Sequence, residues 1–239
     1  MEETPNDTPE LPNNAPKIPP PADKKRKNSD QDQDVQNDIT EVAVLLQNIE
    51  SDLELKELLN DTGIDKEDIE EGRGFQQASQ SSYNDRQDAI GAEEGANNTL
   101  KILWPAVEAE GVDLRELIRA RFPKSDDRRA LGVVGNLPQD RQKAITVFRA
   151  MYGEAKKPQY QAILGKSGYG PSDLDDKLAR LTDAENAIAA ARKATADAKR
   201  ATELRNAAVK DLRGWTGMVK RIAKRALRKR PDLLGKLGI

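Results

Sequence analysis

Hydrophobic residues recur every three or four positions along most of this sequence, the spacing that places them on one face of a helix. Residues 38–60 follow this pattern and end at Asn60-Asp61-Thr62-Gly63, so we predict a first helix there. A second helix begins near Asp65 and runs towards Phe122. The glycines and the proline inside it predict a kink or break somewhere between residues 91 and 111.

The second half of the chain repeats this order of a shorter and a longer helical pattern. A third helix is predicted over residues 138–165. A fourth starts at Pro171, where the missing N–H of proline costs no hydrogen bond, and meets no other proline until Pro231. If unbroken it has about 58 residues and measures about 87 Å; a fold-back near Gly214 or Gly217 is the alternative. No stretch has the pattern of a strand pair, so the sequence predicts an all-α fold.

Residues 1–37 differ in composition from the rest of the chain. The first 35 residues contain seven of the thirteen prolines, separated mainly by polar side chains. Such a segment buries too little apolar surface to offset the entropy of ordering it, so we predict a disordered tail. The tail carries Lys24-Lys25-Arg26-Lys27, which is either a solvated charge cluster or an import-like or anion-binding signal.

Shifting the sequence against itself by 105 residues aligns two similar segments. Thr62-Gly63-Ile64 falls on Ser167-Gly168-Tyr169, and Leu131-Gly132-Val133 falls, with one extra residue, on Leu237-Gly238-Ile239. Two amphipathic helices can share apolar positions by chance. The two glycine-containing matches at nearly one offset are harder to obtain in that way, so we predict an internal duplication.

The duplication predicts two helical units, residues 38–133 and 134–239, each with a short helix, a glycine turn, a long helix and a Leu-Gly-aliphatic end. Two such units can bury their apolar stripes against each other, which gives an elongated helical bundle with a disordered N-terminal tail. Small side chains in the long helices allow the helix axes to approach closely. We therefore expect helix packing at Gly91, Gly95, Ala194, Ala198, Ala201, Trp104 and Trp215.

The end of the chain carries a further pattern. Pro231-Asp232-Leu233-Leu234-Gly235-Lys236-Leu237-Gly238-Ile239 resembles the C-terminal end of a loose set of uncharacterised bacterial helical-bundle proteins, which close on Pro-x-Leu-Leu-x-x-Leu-Gly-aliphatic. The similar stretch covers about 25 residues, and the Gly168-Tyr169 turn also fits. The resemblance implies a bacterial helical bundle, and no activity comes with it.

The composition excludes several classes of chemistry. The 239 residues include no cysteine and no histidine, which excludes disulfides, cysteine nucleophiles, Ser-His-Asp triads and the usual zinc and haem sites. Gly165-Lys166-Ser167 resembles the end of a phosphate-binding loop, but Tyr160 stands where the earlier glycine would be. We find no enzyme signature and expect neither a cofactor nor a metal.

Charge is distributed unevenly, although the formal net charge is only −2. Residues 38–71 carry twelve acidic residues and two lysines, whereas residues 213–239 carry nine basic residues and one acidic residue. The basic end either pairs with the acidic first helix, or binds nucleic-acid phosphates, or lies on an anionic membrane surface. The candidate residues for contact with an anion or a partner are Lys220, Arg221, Lys224, Arg225, Arg228 and Lys229.

These observations predict a non-catalytic structural or protein-interaction protein rather than an enzyme. Alanine-rich long helices make a weak core by themselves, so we expect self-association or scaffolding, with a second copy or another protein as partner. The alternative is an adaptor for nucleic acid or an anionic membrane that uses the basic C-terminal helix. The apolar runs are too short to span a bilayer and the N-terminus lacks a secretory signal, so we expect a cytoplasmic protein.

Overall fold

The computed structural model describes the backbone of residues 24–238 and the side chains of residues 31–238. Every regular element in that range is helical, which confirms the predicted all-α class for the described residues. The helices are α1 (Lys24–Ser51), α2 (Leu53–Asn60), α3 (Lys66–Arg121), α4 (Ser125–Ala130), α5 (Arg141–Ala155), α6 (Pro158–Leu164), α7 (Pro171–Ala226) and α8 (Pro231–Lys236), with a 3₁₀ turn at Gly165–Ser167.

Helices α3 and α7 are the longest elements, with 56 residues each, and each measures about 84 Å. They lie side by side and antiparallel. Glu110, near the end of α3, pairs with Arg180, near the start of α7. At the opposite end of the pair, the indole N–H of Trp215 donates to the backbone carbonyl of Asp68 at 2.9 Å. The predicted packing of the two long helices against each other is confirmed.

The same turn precedes both long helices. Gly63 (φ +93°) and Gly168 (φ +83°) adopt the left-handed conformation, which glycine reaches without a steric penalty. The N–H of the next residue, Ile64 or Tyr169, bonds back to a leucine carbonyl five residues earlier, at 3.0 and 3.1 Å. The chain therefore makes the same stop between helices twice, at an offset of 105 residues.

Both long helices also begin in a similar way. The carboxylate of Asp68 accepts the backbone N–H of Asp65 at 3.0 Å, and the carboxylate of Asp173 accepts the backbone N–H of Gly170 at 2.9 Å. An acceptor in the third helical position that reaches back to the residue before the helix satisfies an N–H that the helix itself leaves free. These positions too are 105 residues apart.

Hydrophobic side chains gather in two separate cores at opposite ends of the α3–α7 pair. The first, called here the α1 core, combines α1, α2 and α8 with the start of α3 and the end of α7, and Leu55 is fully buried in it. The second, the α5 core, combines α5 and α6 with the end of α3 and the start of α7 around Phe148 and Tyr152. Each core therefore contains residues from both 38–133 and 134–239.

The first helix differs from its prediction at both ends. Residues 31–37 are part of α1 rather than of a disordered tail, and Val35 anchors this extension in the α1 core. The side chains of the rest of the predicted tail lie outside the described residues. The predicted single helix over residues 38–60 is interrupted at Asp52, whose side chain accepts the N–H of Leu55 at 3.1 Å and caps α2.

The predicted third helix, residues 138–165, is also two helices. α5 ends at Ala155 and α6 begins at Pro158. Proline lacks the N–H that would continue the preceding helix, and it disfavours helical geometry in the residue before it. The apolar spacing runs on across this break, so periodicity alone did not reveal it.

Helix α3 is continuous, so the predicted kink or break between residues 91 and 111 is wrong as regards a break. Pro105 removes one backbone hydrogen bond. α7 packs alongside α3, and tertiary packing supplies most of the stability of a helix in a protein. α7 is likewise unbroken, which confirms the predicted long fourth helix and excludes the fold-back near Gly214 or Gly217.

Two glycines on the buried faces allow aromatic rings to lie directly on the α3 backbone. A Cβ at Gly72 would overlap the ring of Trp215, and a Cβ at Gly111 would overlap the ring of Phe148. Each ring therefore occupies the space that a larger side chain would need. One such contact lies in each core, so glycine is required once at each end of α3.

Gly91 and Gly95, in contrast, do not contribute to helix packing, and their prediction as packing residues is wrong. Both are exposed, and a Cβ at either position would meet nothing within 4 Å. The spacing of four residues does place them on one face of α3, but that face is turned away from α7 and towards solvent.

We expect Gly111→Ala to lower the free energy of unfolding by about 1–3 kcal/mol, because the added methyl group must displace Phe148 in a packed core. The control is Gly91→Ala/Gly95→Ala. It should raise the free energy of unfolding by roughly 0.5–1 kcal/mol per site, because alanine reduces the entropy of the unfolded chain. Urea unfolding followed by circular dichroism measures both. Destabilisation by the control variant would show instead that these two glycines are packed.

Candidate interaction surfaces

The basic end of α7 and α8 lies against the acidic helices α1 and α2. The paired residues are Arg213–Asp38, Lys220–Glu41, Arg230–Glu54 and Lys236–Asp52. The sequence left three alternatives for the basic end: pairing with the acidic first helix, binding of nucleic-acid phosphates, or contact with a membrane. For these four basic residues the structure shows the first, within one chain. All four pairs are partly exposed, and exposed pairs stabilise a fold only weakly. They lie at the edge of the α1 core, where the ends of α7 and α8 meet α1 and α2.

These ion pairs shift the titration of the carboxylates at this end. The hydrogen bond from Lys236 lowers the pKa of Asp52, and the same contact raises the pKa of Lys236. The hydrogen bonds from Arg230 lower the pKa of Glu54 and of Asp232. The charged forms of these carboxylates are thus favoured in the folded chain.

The remaining basic residues form a separate surface, called here the basic stripe. Helical spacing places Arg221, Lys224, Arg225 and Arg228 on one face of α7 and of the turn that follows it, with Lys229 beside them. All five are exposed, and none makes an ion pair within the part of the chain that the structure describes. The sixth predicted residue, Lys220, is already paired. The Lys24–Lys27 side chains lie outside the described residues.

The apolar face opposite the basic stripe is covered. Trp215 is 4% exposed and Val219 is fully buried, both within the α1 core. Ile222 and Ala226 pack partly buried against the same core. A helix that lies on a membrane needs its apolar face free to enter the lipid. This argues against the predicted membrane-lying mode for the folded chain and leaves the charges of the stripe available.

The other predicted packing residues lie in or near the contacts between helices. Trp104 is buried in the α5 core, where the guanidinium of Arg141 lies 5.7 Å from the centroid of its ring. Ala198 is buried in α7, whereas Ala194 and Ala201 are half-buried. Trp215 completes the set through its contact with Gly72. Gly72 itself was missed, although it lies three residues after Ile69, on the same apolar face.

A buried polar cluster joins α1 to both long helices, and the sequence analysis missed it. The carboxylate of Asp32 accepts two hydrogen bonds from Arg86 at 2.7 and 2.8 Å and one from Arg205 at 2.8 Å. Arg86 and Arg205 are only 4% and 3% exposed. Burial and the nearby Arg86 lower the pKa of Arg205. The sequence did indicate that Arg205 is buried, because it falls on the apolar stripe of α7 that continues to Val209 and Leu212.

Helix α1 packs mainly on α3 and helix α5 mainly on α7, and their N-termini are directed towards each other. Arg86, which contacts α1, and Trp104, which contacts α5, are separated by 18 residues, and this corresponds to five helical turns. A cavity of about 510 Å³ lies at the N-terminus of α5, between the long helices. Its floor contains Leu100, Ile188 and Ala191, and Arg192 is on its rim. We call this cavity the central gap.

We expect Asp32→Ala to lower the free energy of unfolding by about 3 kcal/mol, because it leaves two buried guanidinium groups without a carboxylate. The control is Asp34→Ala, at an exposed acidic residue two positions after Asp32 in α1, which should change the free energy of unfolding by less than about 0.5 kcal/mol. The triple variant D32L/R86M/R205M should recover most of the loss, because apolar side chains of similar size need no partner. Thermal unfolding at neutral pH compares the three. Equal stability of Asp32→Ala and the wild type would contradict the structural role of the cluster.

The ion-paired carboxylates predict loss of stability in acid. Asp52 and Glu54 have folded-state pKa values below their ordinary 3.8 and 4.5. The stability that they contribute is therefore present above those ordinary values and is lost as the pH falls through the lowered ones. We expect Asp52→Asn/Glu54→Gln to weaken this pH dependence, measured as the change in urea midpoint between about pH 7 and pH 3. Asn still caps a helix, and Glu94→Gln/Glu203→Gln, two exposed sites, should leave the dependence as in the wild type.

No helix in the described part of the chain is long and apolar enough to cross a bilayer. Among the side chains described, no group of three or more acidic residues is placed to hold a metal ion. Comparison of the chain with protein-family models, curated proteins and solved structures finds no match.

Proposed function

We propose that this protein is a non-catalytic structural or protein-interaction protein, a helical scaffold that associates with itself through the middle of its long helices. The support comes from how the apolar surface is distributed. Each end of the α3–α7 pair has a core of its own. The central gap lies between them, so the middle of the pair is the place where a further helix can be added.

The observation that carries this proposal is the difference in length between α1 and α5. Their buried residues correspond at an offset of 106, as in Ile39 and Ile145, and Leu46 and Tyr152. By that correspondence α5 begins at the equivalent of Val35, whereas α1 begins about three turns earlier. The central gap therefore lies where α1 covers the long helices in the other half.

The side chains that line the two equivalent places support the same conclusion. At an offset of 105, Arg86 corresponds to Ala191 and Arg205 to Leu100. In one half the arginines bind Asp32 of α1. In the other half the floor of the gap is formed by uncharged residues of the α5 core, which need no charged partner. The gap thus replaces the Asp32 cluster by a concave surface with an uncharged floor and polar side chains at its rim.

A second copy of this chain is the partner that the charges favour. The rim of the central gap carries the basic residues Arg141 and Arg192. Helices α2 and α3 expose acidic side chains near their N-termini, including Glu57, Glu67 and Glu71. Complementary charges steer and orient association. Self-association therefore brings together surfaces that one chain already possesses.

The scaffold is also proposed to have arisen by duplication, with the units at residues 38–133 and 134–239. Support comes from the two 56-residue helices at an offset of 105 and the equal turns before them. Gly132 (φ +69°) and Gly238 (φ +71°) add a further matching pair after α4 and α8. In this proposal each core is built from helices of both units, so neither unit has a core of its own.

The test is light scattering during size-exclusion chromatography over a wide range of concentrations. We expect a mass above that of the monomer that increases with concentration. Asn97→Arg/Thr195→Arg, which adds bulk and charge at the rim of the central gap, should return the protein to the monomer. Asn98→Arg is the control, because it lies on the same helix but does not line the gap. A monomer at every concentration, or equal effects of both variants, would overturn the proposal.

A further inference from the structure

The basic stripe differs from the other basic residues at this end of the chain, because its charges form no ion pairs within the described residues. Four of the nine basic residues in the last 27 residues pair with α1 and α2. The other five, the stripe, are exposed and close together. Like charges at helical spacing repel one another and lower helix stability. A ligand that neutralises them would remove this repulsion.

We propose that the basic stripe binds the phosphate backbone of nucleic acid. Arg221 and Arg225 lie about 6 Å apart along α7, and Arg228 and Lys229 extend the stripe into the turn that follows. One strand of duplex DNA carries a phosphate about every 3.4 Å along its axis, so the stripe has the length to contact about three phosphates. Arginine, which supplies three of the five side chains, can donate two parallel hydrogen bonds to one phosphate.

The arrangement around the stripe favours nucleic acid over a lipid surface. The apolar face of the same helix is covered by the α1 core, so the helix has no apolar surface to insert between lipids. The loop that follows α2 lies beside the stripe, since Thr62 and Arg225 line one cavity. The neighbouring Asp61 is exposed. A broad anionic membrane would meet this carboxylate as well as the stripe, whereas a narrow strand can follow the stripe alone.

Contacts between basic side chains and phosphates recognise negative charge and do not distinguish base sequences. Phosphate contacts position a protein on a strand, whereas sequence is read at the edges of the bases. The stripe consists only of Arg and Lys on a helix packed against the α1 core. Binding should therefore be independent of sequence and should weaken steeply as salt is added.

The experiment measures the fluorescence anisotropy of a labelled DNA duplex of about 20 base pairs, and of its single strand, with the full-length protein after nuclease treatment. Between about 50 and 200 mM salt, three to four phosphate contacts should weaken binding on the order of a hundredfold. R221E/K224E/R225E/R228E should weaken it at least about tenfold at low salt and reduce the salt dependence. The neutral variant R221Q/K224Q/R225Q/R228Q should bind DNA with an affinity between those of the wild type and the charge-reversal variant.

The matched control is K101E/K143E/K199E/R200E, which makes the same change in net charge at four exposed positions outside the stripe. It should stay within about threefold of the wild type, since screening limits the effect of distant charges. Circular dichroism and urea unfolding establish that all variants are folded. An equal loss in the control, or no salt-dependent binding to either DNA, would overturn the proposal. So would binding to vesicles with anionic lipids but not to DNA. Self-association through the central gap is measured separately, so either proposal can fail without the other.

Discussion

The antiparallel contact between α3 and α7 is the interaction on which the rest of the structure depends. Each helix has 56 residues, far more than one small core can cover. Because the two run in opposite directions, the start of one always lies beside the end of the other. The remaining helices therefore gather at two places, and both parts of the sequence contribute to each of them.

This layout produces two ends that have the same architecture but different chemistry. The α1 core is joined to charged surfaces, because the end of α7 brings basic residues against the acidic helices α1 and α2. The α5 core also has ion pairs such as Arg180–Glu110, and there Arg119 donates in addition to the backbone carbonyls of Val133 and Gly135 at 3.3 and 2.8 Å. The helices are therefore arranged similarly at the two ends, and the side chains make the two ends different.

The same contrast explains where the two proposed surfaces lie. Helix α1 reaches the middle of the long helices and is held there by Asp32, while α5 is shorter and leaves the central gap. At the end of α7, the apolar side of the helix is used by the fold and the basic stripe is not. In each case a core satisfies one face and leaves the other for a partner.

The sequence by itself determined the all-α class and the order of shorter and longer helical segments, but not the interruptions at Asp52 and Pro158. The spacing of apolar residues indicated the all-α class and the unbroken α7, because one buried face produces that spacing. The 105-residue offset located the two glycine turns, because a left-handed backbone favours glycine at Gly63 and Gly168. Local signals of this kind are carried by neighbours in the chain, so they can be read without the fold.

Only the tertiary structure decided which faces of those helices are used. Gly91 and Gly95 have the spacing of a packing face but point to solvent, whereas Gly72 and Gly111 lie against aromatic rings. The Asp32 cluster joins residues as far apart as 173 positions, and no local pattern reports such a pair. The division of the basic end into paired residues and a free stripe likewise depends on where α1 and α2 lie. Contacts between distant segments depend on the direction in which each helix faces, and that direction is fixed only when the helices pack.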